Sequence, residues 1–145
     1  TMAAGDQRQR PMAVDLKSKR GKTFLTTDEH WSVFLNVAQR YGWQPAGTLA
    51  PPSWPRGEVW SGQYGTRDGQ GVGDEDARAL AMALYAAARD DGVARALRDV
   101  ISQVELAAER GGSRPPPGGP MRPGDFYEEF SPLLLLLYDG GFSIN

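Results

Sequence analysis

His30 is the one imidazole in this 145-residue chain, and cysteine is absent. These two facts narrow the available chemistry at once. Multi-histidine metal sites, thiolate sites, disulfide scaffolds and cysteine nucleophiles all lack their ligating or reacting groups. His30 is left as a single candidate imidazole base, beside Asp28 and Glu29. A serine-type triad needs a nucleophile delivered from elsewhere, and no Gly-x-Ser-x-Gly elbow occurs. Glu128 and Glu129 are adjacent on a helical stretch and so diverge, which does not make a shared acid–base pair. The simpler assignment of His30 is a part-solvated helix residue among acids; catalysis with a distant carboxylate is the alternative.

Gly69-Gln-Gly-Val-Gly73 lies between a strand-like and a helical segment, where phosphate loops occur. The dinucleotide pattern needs another glycine at position 74, which is Asp74, and three acids in the first helical turn repel phosphate. A calcium-loop register with Gly69 as the required glycine puts Tyr64 and Thr66 where carboxylates belong, and a register on Gly73 puts Ala79 at the last ligand position. A turn leading into a helix cap is the expectation. No cofactor or metal site is expected.

The net charge of −2, from 16 basic and 18 acidic residues, lacks the strongly basic footprint of a general nucleic-acid binder. Its bases cluster at Lys17, Lys19, Arg20 and Lys22 with no interleaved aromatic, so a solvated basic tail is expected rather than a nucleic-acid or lipid contact. The longest apolar run, Leu133 to Leu137, is far short of the ~20 residues that cross a bilayer. No secretory core precedes it, so a cytoplasmic location is expected. Thr1 precedes Met2, and Met12 offers a second start.

Aromatic residues give the strongest functional lead. Tyr41, Trp43, Trp54, Trp60 and Tyr64 gather five of the fourteen aromatics within 24 residues, much of it proline-rich loop. Trp and Tyr on a stiff exposed segment are frequent anchors of interfaces and ligand clefts. Trp43, Trp54, Trp60 and Tyr64 are therefore the candidate binding residues. The competing expectation is that Trp43 and Trp60 fold back and complete the core.

The elements that must position these residues follow from periodicity. Residues 1–21 are expected to be a flexible basic arm, ahead of a single domain over 22–145 with a Pro/Gly-rich linker at 111–124. Residues 22–26 have short-strand composition. Thr26-x-x-Glu29 has capping-box form, and Trp31, Phe34, Leu35, Ala38 and Tyr41 make one helical face, ending at Gly42. Prolines at 45, 51, 52 and 55 impose a loop, and residues 58–64 alternate like a strand. Helices are expected from Asp74 and from Val93 to Arg110, joined as an antiparallel hairpin. A last helix capped by Asp125 should be kinked or split by Pro132, and residues 142–145 should pair with 58–64. The core is expected at Trp31, Phe34, Leu35, Leu80, Leu84, Leu97, Ile101, Val104, Phe130, Leu134 and Leu137. The fold class is α+β: three or four helices on a small, mainly antiparallel sheet.

Gly42-Trp-Gln-Pro-Ala-Gly-Thr48, Trp60-Ser-Gly-Gln-Tyr64, Gly69-Gln70, Asp76-Ala77 and Gly140-Gly-Phe-Ser-Ile144 resemble a pattern in small uncharacterised bacterial proteins. The resemblance covers roughly residues 22–145. It implies a compact domain in which the Gly-Gly-Phe-x-Ile ending belongs with the Trp-x-Gly-x-Tyr strand, and it carries no activity. The expected function is a non-enzymatic protein-binding module of accessory or immunity type, the immunity comparison resting on fold-level analogy. A small-molecule or peptide pocket is the alternative, with self-association open.

Overall fold

The computed structural model describes residues 13–110 and 122–145. Its architecture is α+β: four helices and a four-stranded antiparallel sheet. The strands are β1 (Ala13–Ser18), β2 (Thr23–Thr27), β3 (Gln70–Val72) and β4 (Phe142–Ile144), in spatial order β2-β1-β4-β3. The helices are α1 (Asp28–Arg40), α2 (Asp74–Arg89), α3 (Val93–Arg110) and α4 (Pro123–Tyr138).

β1 corrects the expectation of a flexible arm over 1–21. Val14, Leu16 and Ser18 alternate inward and are buried, while Ala13 and Lys17 point to solvent. The charges that suggest a tail occupy only the outer half of this period-2 pattern. β1 is central in the sheet, pairing with β2 through Leu16↔Phe24 and with β4 through Leu16↔Ile144. Residues 1–12 lie outside the described residues, as do 111–121 of the expected linker; Pro123 and Gly124, also assigned to that linker, belong to α4.

The strand expected at 58–64 is irregular loop, and the third strand is Gln70–Val72. The terminal strand accordingly pairs with β1 and β3, through Gly71↔Ser143 and Lys17↔Ser143, not with 58–64. Within the Gly69–Gly73 stretch, Gln70–Val72 is strand where a turn was expected, and Gly73 caps the following helix. Buried Gln70 fixes the preceding turn: its amide donates to Thr66 O (2.7 Å), and its Oε1 accepts from Asp68 N–H (2.8 Å). Close approach explains the glycine at 141, where a Cβ would meet Val72 O at 2.8 Å.

Helix α1 begins at Asp28 as expected, but its capping threonine is the one after Thr26. Thr27 is the cap, its hydroxyl accepting from His30 N–H (3.2 Å), and Gly42 beyond the C-terminus has φ 99°. Gly73 precedes α2; Asp74, the expected cap, accepts instead from Gly141 N–H (2.6 Å) and so ties α2 to the end of the chain. α3 packs chiefly on α1 and less on α2, so the expected α2–α3 hairpin is not the main packing. α4 starts at Pro123, with Asp125 accepting from Arg122 N–H (2.8 Å), and runs through Pro132 without splitting. Pro132 takes away the N–H due to the Glu128 carbonyl, and both residues lie on an exposed face.

α1 and α4 cover β1 and β2, and α2 packs on both helices. Between them lie Trp31, Phe34, Leu80, Leu84, Leu97 and Leu137 as expected, joined by Phe126 from the last helix and by Val14, Leu16 and Ile144 from strands not assigned to the core. Leu35, Val104 and Phe130 sit at its margin, partly buried. Phe34 and Phe126 bring α1 and α4 together with ring centroids 5.2 Å apart.

Candidate functional site

Residues 43–69 cross from the end of α1 to β3 with almost no regular structure, yet nearly every polar group that positions them is paired. Asp76, in the first turn of α2, is the anchor. Its carboxylate is buried and accepts from the Trp43 indole N–H (2.9 Å), Ala46 N–H (3.4 Å) and the Tyr64 hydroxyl. The same hydroxyl accepts from Gly47 N–H at 2.8 Å. The rings of Trp43 and Tyr64 meet edge to face, centroids 5.2 Å apart. Burial, and then the bond to Asp76, push the Tyr64 phenol well above its ordinary pKa, so it remains a donor throughout the neutral range.

Thr48 is a second anchor. Its N–H donates to Gly62 O (3.0 Å) and its hydroxyl to Gln63 O (2.6 Å), while its carbonyl and hydroxyl both accept from the Trp60 indole (3.1 Å each). Gly62 has φ 73°, a left-handed conformation that favours glycine, while a Cβ there would only make ordinary contact with Gly47 Cα at 3.4 Å. Trp54 packs edge to face on Trp60 at 4.8 Å and donates to Glu58 O (3.3 Å). Val59 and Leu49 are 90% and 67% exposed beside this pair along the chain.

The four expected binding residues therefore divide into two pairs. Trp43 is 4% exposed and belongs to the core, which corrects its assignment to a binding surface. Tyr64 is its half-buried partner on Asp76. Trp54 and Trp60 are partly exposed and form the outer pair. Asp76 is the residue the sequence reasoning missed, since acids in a first helical turn are usually assigned to the helix dipole. One sign is present: Asp76 stands four and seven residues before Leu80 and Ala83, on the buried stripe of α2.

His30 lies elsewhere. Its Nδ1 donates to Glu129 Oε2 at 2.5 Å, and Glu129 Oε1 accepts from the Thr26 hydroxyl at 2.5 Å. The bond to Glu129 is the main reason the imidazole pKa is raised, partial burial opposing it. A carboxylate from α4 thus orients an imidazole from α1, an arrangement that can hold a ring tautomer for proton transfer. An open polar hollow of about 470 Å³ is lined by Asp28, Gly65, Thr66, Arg67, Asp68 and Asn145, and includes neither His30 nor any of the four aromatics.

No family model, curated protein or solved structure matches the chain. Among the described residues no helix is long and apolar enough to cross a membrane.

Proposed function

We propose that the chain is a non-enzymatic binding module for a protein partner, of accessory or immunity type, whose contact surface is the outer aromatic loop. The observation that carries this reading is the Trp54–Trp60 pair, partly exposed, flanked in sequence by exposed Val59 and Leu49, and set on a loop fastened at Thr48 and Asp76. Large rings held in place before contact lose little freedom on association, which favours their use as anchors. Trp43 and Tyr64 support the loop from beneath and are not contact residues in this proposal.

The test replaces Trp54 and Trp60 with alanine separately, with the fold checked by circular dichroism and binding measured to the protein that copurifies from native lysate. A loss of roughly 2 kcal/mol or more for either variant is the expected result. Unchanged affinity in both folded variants would overturn the assignment. A second reading, acid–base chemistry at His30, draws support from the Glu129 contact. It is set against the first by the hollow, which His30 does not line. Turnover that disappears in His30→Gln, with both Trp variants active, would favour it.

A further inference from the structure

The two edges of the sheet are unlike. At the β3 edge, Gly71 alone turns its main-chain groups outward, and both are taken: Gly71 N–H donates to Leu49 O (3.1 Å) and Leu49 N–H to Gly71 O (2.8 Å). At the β2 edge the register can be followed from the hairpin. Ser18 N–H donates to Lys22 O (2.8 Å), so by alternation Lys22, Phe24 and Thr26 face β1, while Thr23 and Leu25 turn their groups outward and Thr27, whose carbonyl takes the first bond of α1, turns out its N–H. The other side of β1 agrees, since Asp15 exchanges both bonds with Asn145 (2.8 and 2.9 Å) and so faces away from β2. Among the described residues no hydrogen bond reaches the N–H or C=O of Leu25.

We propose that the β2 edge pairs with β2 of a second copy of this chain, antiparallel about a two-fold axis at Leu25. Exposed edge strands are ordinarily protected by charge, proline or a bulge, and Thr23-Phe-Leu-Thr-Thr27 carries no charge and no proline. The segment is also complementary to itself. A two-fold at Leu25 sets Leu25, 68% exposed, against Leu25 of the second copy, and Thr23 against its Thr27. Apolar and Thr–Thr cross-strand pairs are both favourable. The same symmetry brings the Lys22 end of each strand to the Asp28 end of the other, unlike charges together, whereas a parallel pairing would join like ends. Two four-stranded sheets become one continuous sheet. A strand pair this short buries little surface, so the dimer is of the transient, concentration-dependent class.

Sedimentation velocity and light scattering of the full chain across a concentration series read the outcome. The mass is expected to rise from 15.8 kDa toward twice that value, with hydrogen exchange at the Leu25 amide slowing in parallel. Leu25→Lys places two ammonium groups against each other at the axis, and Thr23→Pro deletes an outward donor while sparing the ladder to β1. Both variants should remain monomeric with an unchanged circular dichroism spectrum; if Thr23→Pro does not fold, Leu25→Lys decides. A monomer at every concentration overturns the proposal. So does a dimer that survives Leu25→Lys, or one whose Leu25 amide exchanges as fast as in the monomer.

Discussion

Glu129 and Asp76 are two carboxylates that put single-residue energetics within reach of measurement. Glu129 accepts from His30, and that bond raises the imidazole pKa above 6.5. A pKa raised by folding means that the protonated ring stabilises the native state. This contribution is complete below the ordinary histidine value of about 6.5 and is lost as pH climbs through the raised value. The urea midpoint should therefore fall across that window, and His30→Gln should remove this component of the fall. Asp76 holds two ring donors at once. Asp76→Ala strands the buried Trp43 N–H, so urea unfolding should show a loss of about 1–3 kcal/mol, with Asp76→Asn, which keeps an acceptor, losing less.

At the scale of elements, β1 separates two views of the N-terminal segment most sharply. Leu16 is fully buried between β2 and β4, so Leu16→Ala should cost about 2–5 kcal/mol in a urea titration. The same change in a mobile arm would leave the midpoint where it was. The helices were legible because their apolar residues recur over three or four turns, long enough for the period to show. β1 was not, because its three inward residues are interrupted by Asp15 and Lys17, whose charge dominates any composition count. Residues 58–64 alternate better than 70–72, yet their hydrogen bonds go to Thr48 within the loop, and β3 is fixed by its partners. A three-residue strand centred on Gly71 has no propensity of its own, so only its place beside β4 makes it one. The aromatic cluster was legible as a cluster. Which ring is buried was not, since that depends on Asp76 meeting the loop from 33 positions beyond Trp43 in the chain.

Taken whole, the molecule is a sheet lined on one face by helices, with its ends finished differently. The proline-rich loop lies along the β3 edge and carries Trp54 and Trp60, whereas among the described residues nothing pairs with the β2 edge. Dimerisation through β2 would leave both loops free at the outer margins of the joined sheet. Two identical contact surfaces on one particle raise avidity for any partner that displays its own site twice. The bridge between Leu49 and Gly71 decides how far such assembly proceeds. A sheet with two open edges is a template that can add subunits without limit, as fibrils do. Here the only outward groups of β3 are already satisfied within the chain, and a two-fold contact consumes the same edge on both copies. One residue of loop pairing would thus act as a chain terminator: growth would stop at two, and the aggregation hazard of an unprotected strand would become a closed symmetric particle.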